Sequence, residues 1–137
     1  MKFLLVLLLA LGSLHAASLG WQRNYETALA KAKSEEKALM VYLYLPHCNT
    51  CNYMNKNVFS DKKVIDCINR NYVAVKLYPN DKSLPKKLQS EISPVFYLIN
   101  PQNAEMIESV MGGKNAEKFL NLLEESYDAY KTETQQQ

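Results

Sequence analysis

Glycine is scarce in this chain: 137 residues contain four. No Gly-rich phosphate-cradling loop can be assembled from them, and none is visible. Histidine is scarcer still, with His15 and His47 the two in the chain. A Ser-His-Asp hydrolase set that avoids His47 is therefore ruled out, because His15 falls in the N-terminal apolar segment. Three cysteines are too few for a disulfide-rich scaffold. Charge of one sign is also missing. Without Lys2, the sixteen basic side chains fall to fifteen against fourteen acidic ones. Such balance gives no push toward nucleic acid or an anionic membrane surface. Paired metal carboxylates, basic aromatic stripes, internal repeats and long linkers are absent too.

One long apolar run is present, at the start. Lys2 is followed by Phe3 to Leu11, then Gly12, Ser13 and the small residues Ala16, Ala17 and Ser18. A basic start, a short apolar core and a small-residue exit describe a cleaved secretory signal peptide over 1–17. The run is shorter than the roughly 20 residues that span a bilayer. The rest, 18–131, is read as one domain able to bury a proper core, with 132–137 as a flexible polar tail.

Periodicity within 18–131 predicts the element order α-β-α-α-β-α-β-β-α. A helix is expected over 21–36, with Asn24 as a candidate N-cap. The continuous apolar run Leu39–Leu45 reads as a strand covered on both faces and stopped by Pro46. Helices are expected over 49–57 and 61–69, the second capped by Ser60, and a strand over 72–78. A short helix over 84–92 capped by Ser83, a hairpin of strands 95–99 and 105–111, and a helix from Asn115 to about Tyr130 complete the order. Helices between the first strands require parallel pairing, and the closing strands form an antiparallel hairpin. The predicted class is α/β, one mixed sheet sandwiched between helices.

Chemistry concentrates in Cys48-Asn49-Thr50-Cys51, at the junction of the first strand and the helix that follows. A helix N-terminus favours negative charge, so it stabilises a Cys48 thiolate. Cys51 lies one turn on, within the Cα separation a disulfide needs. The pair can close a reversible disulfide, with the outer thiol attacking and the inner one resolving. Other readings of the motif are half a zinc site, a structural bridge, or copper(I) held with His47. Zinc wants four ligands, and the domain adds only Cys67 and His47. A c-type haem wants histidine where Asn52 stands. So short a loop gains little stability from closure. Cys67, within Val64-Ile65-Asp66-Cys67-Ile68, is expected to be buried.

Wider matches accompany the motif: Trp21 before Tyr25-Glu-Thr-Ala28, Lys33–Lys37, Cys48-x-x-Cys51-x-x-Met54, Val58-Phe59, Asn71 to Lys76, Ser93-Pro94-Val95-Phe96, and the glycine pair before the last helix. On these the chain resembles the thioredoxin-like superfamily, and within it the exported branch called thioredoxin-7 or SoxW-like. The resemblance implies a thioredoxin-like fold and a thiol–disulfide oxidoreductase, with reduction favoured over oxidation. It implies Cys48 as nucleophile, Cys51 as resolving cysteine, and Pro94 as a cis-proline opposite the disulfide. Ser93 then pairs its backbone with substrate, and His47, Asn49 and Thr50 complete the contact surface. No metal and no cofactor beyond the Cys48–Cys51 disulfide are implied. The expected setting is the periplasm, with cysteine-containing exported proteins as clients and a membrane-bound thiol donor. A non-catalytic binding or chaperone module is the alternative. The sequence departs from the family in two places: His47-Cys48-Asn49-Thr50-Cys51 replaces Trp-Cys-Gly-Pro-Cys, and Tyr42 stands where many relatives bury an aspartate.

Overall fold

A computed structural model describes residues 18–136; the expected signal peptide lies outside them. The first helix, α1 (Tyr25–Glu35), is capped by Asn24, whose side chain accepts from the Thr27 N–H. It leads into β1 (Ala38–Leu43), α2 (Asn49–Tyr53) with a π-helical turn Met54–Val58, and α3 (Lys62–Asn71). Then come β2 (Tyr72–Leu77), β3 (Val95–Asn100), β4 (Glu105–Met111) and α4 (Ala116–Gln135). The strands lie in the order β2-β1-β3-β4. β1 runs parallel to β2, Ala38 opposite Tyr72 through Leu43 opposite Leu77. The β1–β3 and β3–β4 pairs are antiparallel. The expected α/β sandwich with a mixed sheet is present.

All six residues of β1 are buried. Side chains alternate across a strand, so burial on both faces requires a layer on each side. Met40 and Tyr42 join Tyr72, Ala74, Phe96 and Leu98 beneath α2, α3 and α4. Leu39, Val41 and Leu43 join Val73, Val75 and Tyr97 beneath α1, with Leu84 and Leu88 closing that side. The middle of the first cluster is aromatic. Tyr42 stacks on Phe96 with centroids 4.8 Å apart, and Phe59 meets Phe119 edge-on at 5.6 Å. Such pairs add roughly 0.5–1.5 kcal/mol beyond the area they bury.

Strands β1 and β2 end at Leu43 and Leu77, before the expected 45 and 78, and four further departures from the sequence expectations each have a local reason. Helix α1 starts at Tyr25, not Trp21, because Gln22 pairs with β2, donating to Ala74 O and accepting from Lys76 N–H. Asp61, not Ser60, caps α3: its carboxylate takes the N–H groups of Lys63 and Val64, while Ser60 donates back to Lys56 O. The helix expected over 84–92 is reduced to one 3-10 turn, Lys86–Leu88. Ser83 is unavailable as its cap, since its hydroxyl donates to Asp81 and accepts the Tyr25 N–H. Pro85 is extended at ψ 141°, and Ser93 precedes a proline, which disfavours helical backbone there. Finally, α4 continues to Gln135, past the start of the tail expected at 132, and Glu133 accepts from the buried Asn100 amide.

Two predictions follow from this packing. Asp61→Ala leaves two amides at the start of α3 without their cap, and should cost about 1 kcal/mol, read as a lower urea midpoint at unchanged slope. Burial raises the hydroxyl pKa of Tyr25, Tyr42, Tyr72, Tyr97 and Tyr130. Below the ordinary tyrosine value near 10 both folded and unfolded chains keep these protons. Above it only the unfolded chain releases them, so stability falls as pH rises. Urea midpoints at pH 8 and pH 10.5 should therefore separate, and the tyrosinate absorbance of these five residues should appear together with unfolding.

Candidate functional site

The carboxyl ends of β1 and β2 and the amino end of β3 meet at one edge of the molecule. Tyr44 donates its N–H to Leu77 O, and beyond it Pro46 turns the chain toward α2. Cys48 is the N-cap of α2, with extended backbone at φ −94° and ψ 112°. Its Sγ accepts the Cys51 N–H at 3.1 Å, and its carbonyl accepts the Asn52 N–H at 3.0 Å. The helix start therefore places a backbone donor on the sulfur, which favours the thiolate over the thiol once the pair is reduced.

Cys48 and Cys51 form a disulfide with Cα atoms 5.1 Å apart. Cys48 is half-buried, whereas Cys51 is fully buried. A partner can reach the first sulfur and not the second. The Ser93–Pro94 peptide bond is cis, and the Ser93 carbonyl oxygen lies 3.7 Å from Cys48 Sγ, within reach of a thiol donor after reduction. Pro94 is buried, and its carbonyl accepts the Gly112 N–H, tying this loop to the end of β4. His47, Asn49 and Thr50 are exposed around Cys48.

Two supports were not evident from the sequence. The Thr50 methyl lies 2.7 Å from where a Cβ on Gly113 would sit, so glycine is needed at this approach unless Thr50 moves. Met54 Sδ accepts the Lys114 N–H at 3.5 Å. The β4–α4 loop thus braces α2 from one side. From below, Tyr42 donates its hydroxyl to Cys51 O at 3.3 Å. Opposite Tyr42 in the sheet register is Lys76, its Nζ 4.3 Å from the Tyr44 ring centroid, 5.4 Å from Tyr42 and 5.8 Å from Trp21. In the sequence Lys76 stands only as the end of the matched stretch Asn71–Lys76 in the strand expected over 72–78, with no role at the site.

Cys67 is buried on α3, with the Asn71 amide 3.7 Å from its sulfur. Burial pushes its thiol pKa up. It is not near enough to either site cysteine to bond with it, and is the free thiol of the described residues.

Residues 20–101 match the model of the thioredoxin-like family, so the chain belongs to that family. Solved structures agree. A thioredoxin from Thermus thermophilus is 26% identical, with TM-score 0.69 over 79% of this chain and 86% of its own. A putative disulphide-isomerase from Bacteroides thetaiotaomicron is also 26% identical, with TM-score 0.68 over 82% and 95%. The C-terminal domain of DsbD from Neisseria meningitidis, in its oxidised form, shares the fold at 18% identity, with TM-score 0.61 over 74% and 91%. No curated protein sequence matches the chain. This fold with its C-x-x-C disulfide supports thiol–disulfide oxidoreductase activity.

Exposure and ionisation set an order of thiol reactivity. In reduced, native protein, iodoacetamide should alkylate Cys48 first. Cys67 should react on the timescale of unfolding, with peptide mapping as the check.

Proposed function

We propose that the protein is an exported, periplasmic thiol–disulfide oxidoreductase that reduces disulfides in partner proteins. The observation that carries the reading is the asymmetry of the pair. Cys48 is accessible and receives a helix amide at its sulfur, while its partner is sealed beneath it.

In this mechanism the Cys48 thiolate attacks one sulfur of a client disulfide. A Cys48–client bond forms, and the client's second sulfur leaves and takes up a proton. Cys51 then attacks Cys48, closing the internal disulfide and releasing the client's first sulfur. The client gains two electrons and two protons, and the Cys48–Cys51 dithiol loses them. His47, Asn49, Thr50, Ser93 and Pro94 surround the attacked sulfur and form the contact surface. Ser93 offers a backbone carbonyl to an extended client segment, as in strand-addition recognition.

Export rests on the basic, apolar and small-residue pattern of 1–17. Clients are then cysteine-containing exported proteins, and electrons return through a membrane-bound thiol donor. The resemblance to the thioredoxin-7 or SoxW-like branch favours reduction over oxidation.

The test is insulin reduction with dithiothreitol as donor. Cys48→Ser should lower the protein-dependent rate by about a hundredfold or more, whereas equal rates for the two proteins remove Cys48 from the nucleophile role. Thiol trapping in the exporting cell addresses direction: a mostly reduced pair fits a reductase, and a mostly oxidised pair refutes it.

A further inference from the structure

At the pole opposite the disulfide, three segments that carry none of the redox chemistry converge. Glu36 follows α1, Gln102 lies in the β3–β4 turn, and Tyr127, Tyr130, Lys131 and Thr134 share one face of α4. Together they line an open groove of about 450 Å3. That is the size of a cleft that takes a small ligand or a long side chain. The whole length of β1 separates it from Cys48, about 20 Å at the rise of a strand.

Glu36 occupies a position that its side chain does not favour. Its backbone is at φ 54° and ψ 38°, the left-handed conformation in which helices commonly end on glycine. Glycine would hold the same turn, with its N–H on the Ala32 and Lys33 carbonyls, at less strain. The carboxylate is therefore present in spite of the backbone. It is exposed, and it lies close enough to the hydroxyl of the buried Tyr130 to act on it, as does the Gln102 side chain. Among the described residues Glu36 makes no ion pair.

The balance of charge around the groove is acidic. Lys131 is the cation among the lining residues, and Asp128 already holds its ammonium at 2.8 Å. That ammonium lies 5.3 Å from the Tyr127 ring centroid, so this wall already attracts a positive group. Beneath the Gln102 turn, the Glu133 carboxylate accepts from the buried Asn100 amide, whose oxygen takes the Gln102 N–H. Among the described residues Glu133 makes no ion pair either. Two carboxylates thus stand without a counter-charge beside a tyrosine pair whose centroids are 5.8 Å apart. A guanidinium suits both features. It forks onto a carboxylate with two parallel N–H bonds and stacks on aromatic faces, which an ammonium does less well.

We propose that this groove is a docking site for an arginine side chain of a partner protein, with Glu36 pairing the guanidinium, Tyr127 and Tyr130 walling it, and Gln102 supplying an amide acceptor. The proposal stands apart from the redox reading, and no covalent bond is made or broken in it. A partner held at this pole leaves Cys48 open to a client at the other.

The experiment titrates the isotopically labelled, oxidised protein with the peptide acetyl-Gly-Arg-Gly-amide and follows the amide chemical shifts. Shifts should saturate and cluster at Glu36, Gln102 and the 127–134 stretch of α4. The same peptide with citrulline keeps the shape and loses the charge, and should bind about tenfold more weakly or worse. Glu36→Gln should weaken the arginine peptide by about tenfold, while insulin reduction stays at the wild-type rate. Glu36→Gly should lose binding as well, yet unfold at a higher urea midpoint, because glycine relieves the left-handed backbone. Equal binding of the citrulline peptide assigns the groove to a neutral polar ligand and overturns the proposal. Wild-type affinity in Glu36→Gln overturns it too, as do shifts that never saturate. A lower urea midpoint in Glu36→Gly shows that the carboxylate serves the fold instead, and overturns it equally.

Discussion

The constraint on which everything else rests is that β1 is buried on both faces. Six consecutive residues without water contact commit the chain to helices above and below the sheet and to strands on both sides. At roughly 25 cal/mol per Å2 of apolar surface removed from water, β1 and the neighbouring β3, buried at all its positions too, contribute a large share of the core. That central strand also aims the site. Its carboxyl end delivers Cys48 to the start of a helix, while β3, paired antiparallel beside it, brings Ser93 and Pro94 to the same edge. Cys48 is far from Ser93 and Pro94 in the chain and near them in space because β1 and β3 pair side by side.

Much of this was legible beforehand because the signals were local. Continuous apolarity marked β1, alternation marked β2 with Lys76 and Tyr72 on one face, and Asn24 and Asn115 were visible as caps. The 84–92 segment shows the limit. Leu84 and Leu88 are spaced as on a helix and both are buried, but they reach the core from a tight turn followed by extended chain. Ser83 resembles a cap and is instead consumed by Asp81 and Tyr25, partners that only the tertiary fold supplies. The same holds at the site. The cysteine pair could be read from spacing alone. The approach of Thr50 to Gly113 and the aromatic enclosure of Lys76 each join segments that no sequence window contains together.

Tyr42 sets the character of the site's floor. Its hydroxyl donates to the Cys51 carbonyl, and its ring fills the aromatic cluster through its stack on Phe96. One side chain thus serves packing and hydrogen bonding together.

The contact between Thr50 and Gly113 has a bearing on where this protein can be divided. The family match stops at residue 101, inside the β3–β4 turn. Yet Thr50, one of the two residues between the cysteines, leans on the corner after β4, and Phe119 and Leu123 of α4 fill the core behind it. A boundary drawn from homology would sever the wall of the site from its floor. The smallest physical unit of this redox centre is the whole folded chain, with its final helix acting as a keystone.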